Sequence, residues 1–348
     1  MSHSQNRSYF PAEWHPQSAV HLVWPSQDSD WNTNYKSIVC FYIELVKALI
    51  GRQALLVVFP VGYDVEGIFN GKEQSKLIIT YANYNDTWVR DYGGISIVKE
   101  GVPHLLDFKF NAWGNKFEWK LDNEQTRILH QQKSFSNDVV YSDQSDFVLE
   151  GGSIESNGHG LLLTTESCLL NPNRNGELSK LQIEKTLQET LHVDKVLWLK
   201  HGKIYGDDTD GHIDTLVRFV NRDTLVYVKC LDESDEHFQE LFLMEKELGV
   251  LCAAYNLSMI PLPMPKAIYN PQTNERLPAT YVNFLIINDA VMVPSYAVKQ
   301  DNEVQSVLKT CFPDRKIISI NCLALIAQGG SLHCATMQYP KGFMSGAF

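Results

Sequence analysis

One pattern recurs about five times along this sequence: two short apolar runs joined by a polar turn, then a stretch with helical periodicity. The hairpin turns fall at Lys99 to Gly101, at Asn157-Gly158, at Asn221 to Asp223 and at Asn288-Asp289. The helical stretches cover residues 35–50 (Ile38, Phe41, Tyr42, Leu45 and Leu49 on one face, Gly51 as the stop), 122–132, 178–191, 234–248 and 304–311. In the fourth, Ser234 reads as the cap, Phe238, Leu241, Phe242 and Leu248 as the inner face, and Gly249 as the end. In the last, Val304, Val307, Leu308 and Cys311 form the stripe and Pro313 closes it. A final segment, "SLHCATMQ", reads as a strand without an obvious partner. Units of roughly 60 residues that each carry a helix and a short sheet can close radially, strand ends meeting on one axis. An ordinary layered α/β fold fits the same rhythm, and the placement of the polar residues favours the radial one.

Four segments occupy equivalent places, each just before or on the first strand of a hairpin. They are "NDTWVRDYGG" (85–94), "FVLEGGS" (147–153), "YGDDTDGHIDT" (205–215) and "GGSLHCA" (329–335). Each sets a glycine beside acidic or nucleophilic residues, which suits close backbone approach to a ligand. If these segments are strands, His212 and Asp214 share a face while His333 and Cys334 point oppositely. The histidine that serves Cys334 then comes from elsewhere, with His212 the best candidate, and His333 packs or hydrogen-bonds behind the strand.

Taken singly, every residue has a plainer reading. Cys334 fits an inert core thiol, Asp91 beside Arg90 a surface ion pair, and Glu150 a solvated strand end. Asp207, Asp208 and Asp210 fit a turn, His212 with Asp214 a pair of metal ligands, and Trp88 the core.

Composition removes other classes. With 41 acidic against 30 basic residues, a net charge of −11 and no Lys/Arg cluster, a nucleic-acid partner is excluded, while a small cationic ligand suits the field. The 348 residues are 44% hydrophobic, enough for a sizeable core, yet no run approaches the roughly 18 apolar residues of a membrane span. Seven cysteines without paired spacing, and a polar start "MSHSQNRSYFPAEW" unlike a signal peptide, give the expectation of reduced thiols in a cytoplasmic protein. The sequence leaves a homo-oligomer open.

The joint pattern resembles the agmatine deiminases, within the guanidine-modifying superfamily that includes the arginine and peptidyl-arginine deiminases. The strings that carry it are "PAEWHPQSAVHLVWP", "NDTWVRDYG", "LEGGSIESNGHGLLLTTESCLLNPNRN", "DDTDGHIDTLVRFV" and "GGSLHCATMQYP", in family order from about residue 10 to residue 340. The resemblance implies a five-bladed α/β propeller forming one catalytic domain over residues 1–348. It implies a hydrolase acting on C–N bonds of linear amidines, turning agmatine into N-carbamoylputrescine and ammonia in polyamine biosynthesis. Cys334 matches the family's nucleophile and His212 its general acid/base. Asp91, Glu150 and Asp214 match the carboxylates around the guanidinium, and Trp88 the aromatic lining. Asp208 stands where an acidic residue near the distal amine is expected, although "DDTDGH" departs from the "DETNGH" of some members. Arg90 and Arg174 lie in matched motifs and read as structural. No metal or organic cofactor is implied.

A planar guanidinium with five N–H donors needs acceptors arranged in its plane, which two or three carboxylates supply. Their charge would also raise a neighbouring thiol's pKa until the cation or an imidazolium offsets it. Deimination of peptidyl-arginine, metal-dependent amide hydrolysis and non-catalytic binding of a guanidine or polyamine are the competing readings.

Overall fold

The computed structural model describes residues 8–344, so residues 1–7 of the polar start lie outside the described residues. Among the described residues, five small sheets are built on one plan. In the second unit β4 (Ile95–Lys99) and β5 (Val102–Lys109) form a hairpin, a helix α2 (Gln125–Gln131) crosses over, and β6 (Val140–Val148) returns parallel to β5. The third repeats this with β7 (Glu155–Ser156), β8 (Leu161–Thr165), α3 (Lys180–Leu191) and β9 (Lys195–Leu199). The fourth uses β10 (Val217–Asn221), β11 (Thr224–Lys229), α4 (Phe238–Tyr255) and β12 (Ser258–Pro263). The fifth uses β13 (Leu285–Ile286), β14 (Ala290–Ser295), α5 (Gln300–Cys311) and β15 (Lys316–Asn321).

The first unit has β1 (Gln17–Val23), α1 (Tyr35–Leu49), β2 (Ala54–Phe59) and β3 (Leu77–Tyr81), all three strands parallel. The antiparallel partner that completes its hairpin is β16 (Met337–Pro340), from the far end of the chain, with His21 opposite Met337 and Val20 opposite Gln338. The two ends of the described chain thus share one sheet, which is the partner the final segment lacked in sequence. All six residues of β2 are buried, and α1 turns Ile38, Phe41, Tyr42, Leu45, Val46 and Leu49 inward, so helix and sheet seal one layer of core.

The four predicted hairpin turns match the strand breaks, and α1, α3 and α5 match their periodicity. Five local expectations are corrected. The helix expected at 234–248 is capped neither by Ser234 nor by Gly249: it starts at Phe238 and runs through Gly249 to Tyr255, where Asn256 turns left-handed. Leu248 and Cys252 continue the buried stripe, and that packing outweighs a glycine cost of about 1 kcal/mol. Phe242, expected inside, is 40% exposed. The stretch 122–132 divides at Glu124 into two short helices. Residues 331–336 form a turn at 332–335 and no strand, and pairing begins only at Met337. The 212–215 stretch is likewise a loop entering a 3-10 turn. No helix among the described residues is long and apolar enough to cross a membrane.

Candidate active site

Each unit presents the segment that leads into the first strand of its hairpin. Four of these are the polar segments read in the sequence, and the fifth is residues 279–284, entering β13. A cavity of about 570 Å³ opens here, and Trp88, Asp91, Trp113, Asp208 and Cys334 line it. Its volume is that of a small-molecule site. Carboxylates dominate the charged lining, and the one lining cation among the described residues, Arg276, is held by Asp235 at 2.8 Å and Glu236 at 3.0 Å.

His212, Glu150 and Asp214 are fully buried behind this lining. His212 and Asp214 converge with Asp91 around Gly152. A Cβ at Gly152 would lie 2.6 Å from His212 Nδ1, 2.8 Å from Asp91 Oδ1 and 3.2 Å from Asp214 Oδ2. Only a residue without a side chain allows this approach, and its backbone N–H donates to Asp91 Oδ1 at 3.0 Å. Gly330 plays the same part for Trp88: a Cβ there would lie 2.3 Å from the indole. Trp88 packs against Trp31 on another side, with ring centroids 5.5 Å apart.

His212 Nδ1 is 3.6 Å from Asp91 Oδ1 and Nε2 is 3.7 Å from Glu150 Oε2, and neither ring nitrogen has a hydrogen-bond partner among the described residues. Burial pulls the imidazole down, but Asp91, Cys168 and Glu150 outweigh it, so its pKa is well above the ordinary value. Burial pushes the Asp91 carboxyl up to about 6 against the pull of His212, with Asp214 and Glu150 adding to the rise. Burial, then Asp214 and Asp91, push the Cys334 thiol well up. Such a thiol stays protonated until something offsets the negative field.

Glu150 is placed differently from the other carboxylates. Arg174 Nε donates to both its oxygens at 2.9 Å, while Nη1 reaches Asp210 Oδ2 at 2.7 Å and Nη2 the Thr209 carbonyl. Glu150 therefore faces Arg174 and His212 rather than the cavity, and Arg174 holds it below its usual pKa despite burial. Asp210 is also paired with Lys116 at 2.8 Å. Asp208 remains exposed, with no ion-pair partner for its carboxylate among the described residues.

Sequence reasoning missed three neighbours. Asn283, fully buried, takes the Cys334 Sγ–H and the His333 N–H on Oδ1, at 3.4 and 2.9 Å, and donates to Asp214 Oδ2 at 3.2 Å. Its segment has neither charge nor glycine, and only its equivalent position before a hairpin could have flagged it. Trp113 donates its indole N–H to Asp91 Oδ2 at 3.0 Å from a backbone with φ of 53°. Cys168 lies 3.8 Å from Glu150 Oε2. Glu150, Cys168 and His212 offer ligand atoms within 4.8 Å of one another, a set a soft cation could use, but Arg174 already takes both Glu150 oxygens.

Comparison with known proteins agrees with the geometry. The family model for Porphyromonas-type peptidyl-arginine deiminase matches residues 9–340. The agmatine deiminase of Stutzerimonas stutzeri is 31% identical over 98% of this chain and 97% of its own length. The solved agmatine deiminase of C. jejuni with substrate bound is 39% identical, covering 98% of this chain and 99% of that one, with a TM-score of 0.89. A solved Porphyromonas gingivalis protein, provisionally named an arginine deiminase, is 46% identical over 97% of this chain and 100% of its own, with a TM-score of 0.92. On this near end-to-end agreement, the chain belongs to the Porphyromonas-type peptidyl-arginine deiminase family, together with these agmatine deiminases.

Proposed function

We propose that this protein is an agmatine deiminase, hydrolysing agmatine to N-carbamoylputrescine and ammonia through a covalent adduct on Cys334. One observation carries the reading. Behind the cavity lining that holds the thiol, His212 Nδ1 and Nε2 and Asp214 Oδ1 are buried without hydrogen-bond partners among the described residues, and a guanidinium and its leaving amine would satisfy them. Asp91 and Asp214 hold the guanidinium in plane. The cation offsets the carboxylate field on Cys334, so the thiol gives up its proton to solvent and the thiolate forms beside the carbon it attacks. A tetrahedral adduct results. His212, kept protonated by Asp91 and Glu150, gives its proton to the departing amine, and ammonia leaves a thiouronium on Cys334. Water then loses a proton to His212 and attacks the same carbon. Collapse breaks the C–S bond, the hydroxyl proton passes to the leaving sulfur, and the ureido product departs from a restored Cys334 thiol. Glu150 acts through His212, and Trp88 flanks the substrate.

Asp208, an exposed lining carboxylate with no ion pair among the described residues, receives the distal ammonium. A free-arginine enzyme needs an unengaged cation for the substrate carboxylate, and Arg276 is already paired twice. The five units close radially as a five-bladed propeller, with the β16–β1 pairing as the seam, and residues 1–348 act as one catalytic domain. Seven free cysteines suit a reducing, cytoplasmic setting, and the product suits polyamine biosynthesis.

The test is ammonia release from agmatine, arginine and a blocked arginine peptide, run beside Cys334→Ser. Turnover of agmatine alone, absent in the variant, is expected. Comparable rates on the blocked peptide would transfer the assignment to peptidyl-arginine. Loss of activity with a chelator, and survival of Cys334→Ser, would point to metal-dependent hydrolysis.

A further inference from the structure

His333, the neighbour of Cys334 that the proposed chemistry does not use, is 2% exposed and faces away from the cavity. Its Nδ1 lies 2.7 Å from Asp214 Oδ2, and its Nε2 lies 2.6 Å from Glu13 Oε2. An ionised carboxylate only accepts, so both ring nitrogens must donate unless one acid carries a proton. Glu13 has little room for one. Its Oε2 also accepts from Arg218 Nη2 at 2.7 Å, its Oε1 accepts from the Ile286 N–H at 2.6 Å, and Arg218 and His333 hold it far below the usual carboxylate range despite burial. Asp214 Oδ2 receives Asn283 Nδ2 at 3.2 Å as well as the ring, which leaves Oδ1 without a partner.

The charges around the ring balance only if it is cationic. Glu13, Glu155 and Asp214 supply three negative charges, while Arg218 and Arg90 supply two positive ones. Arg218 bonds Glu13 and Glu155 at 2.7 Å each, and Arg90 stands 3.9 Å from Glu13. On the cavity side Asp214 faces Asp91, His212 and Cys334. Asn283 fixes the backbone as well, accepting the His333 N–H at 2.9 Å while touching the Cys334 sulfur at 3.4 Å.

We propose that His333 is a doubly protonated positioning residue, clamped between Glu13 and Asp214, that keeps Asp214 ionised and turns its free Oδ1 toward the substrate guanidinium. The assignment rests on Asp214 as a guanidinium-binding carboxylate. It gives the Glu13 of "PAEW" a task at a distance, because Glu13 holds the ring that holds the acid. It also gives the adjacent residues of "HC" separate tasks on opposite sides of one turn.

Two measurements test it on the full chain. In protein labelled with ¹⁵N-histidine, the ring signals lost in His333→Asn are expected to show both nitrogens protonated at pH 7.5, and a neutral ring overturns the proposal whatever the enzyme's substrate. In kinetics, His333→Asn retains an N–H toward Asp214 but loses the charge and the Glu13 contact. It should lower kcat/KM for agmatine by about tenfold or more, chiefly through KM, and move the acid limb of the pH profile to higher pH. Glu13→Gln, whose amide oxygen can still accept from the ring, should fall between wild type and His333→Asn. A His333→Asn enzyme with lowered Tm but an unchanged KM and pH profile overturns the proposal. If wild type releases no ammonia from agmatine, the functional reading fails, while the nitrogen signals still decide the state of the ring.

Discussion

Replacing Gly152 by alanine puts one methyl group where three site side chains meet. The new carbon would stand 2.6 Å from His212 Nδ1 and 2.8 Å from Asp91 Oδ1, where ordinary contact begins at 3.4 Å. The imidazole and the carboxylate must each retreat by more than half an ångström, or the 151–153 backbone must shift and stretch the 3.0 Å bond from Gly152 N–H to Asp91. Gly152 does not occupy the left-handed region, so backbone strain adds nothing and the effect is one of contact alone. Misplacing catalytic groups by about 1 Å costs about 100-fold, and shifts of this size predict a loss of about 30- to 100-fold in kcat/KM, or about 2–2.7 kcal/mol of transition-state stabilisation. Overpacking lowers stability by about 1–3 kcal/mol, within the roughly 5–15 kcal/mol of a typical domain, so the variant folds. Ammonia release against agmatine concentration reads the kinetics, with circular dichroism as the check on folding. Gly51→Ala, at a position with nothing within 4 Å, is the control and should keep full activity. Activity of Gly152→Ala within about threefold of wild type would refute the convergence of His212, Asp91 and Asp214 on this point.

Three other outcomes follow from the same geometry. Asp208→Asn should raise KM for agmatine about tenfold with kcat little changed, whereas Asp210→Asn, which loosens Arg174 and Lys116, should lower Tm; equal KM values in the two variants would remove Asp208 from the ammonium site. Arg174→Met leaves Glu150 ionised and buried without its cation and should cost about 3–5 kcal/mol in urea titration, and a loss below about 1 kcal/mol would show that Glu150 is not held this way. Because the folded Asp91 carboxyl is pushed up to about 6, its ionisation opposes folding as pH rises from the ordinary carboxylate range to 6, yet the proposed guanidinium contact requires the ionised form. Accordingly kcat/KM for agmatine should climb through an acid limb near pH 6 that Asp91→Asn abolishes, and a limb at pH 4 would contradict the buried, crowded placement.

The turns at Asn157-Gly158 and Asn288-Asp289 were legible because their cause is local: the residues that permit a tight turn are the turn itself. The end of α4 was not, since Gly249 signals a stop locally while Leu248 and Cys252 keep the helix packed onto its sheet. Residues 331–336 failed for the same reason. Their composition suits a strand, but Asn283, 50 residues away, draws the His333 backbone into a turn. In the site, residue types were visible and their state of satisfaction was not. Glu150, Asp91 and Asp214 look alike in sequence, yet Glu150 has both oxygens on Arg174, Asp91 is held by Trp113 and Gly152, and Asp214 keeps one oxygen free. What a buried carboxylate can do for a ligand depends on the acceptor capacity it has left, and contacts as remote as Glu13 to His333, 320 residues apart, set that remainder. A motif therefore names the atoms that could meet a guanidinium, while the folded network decides which of them still have a vacant lone pair.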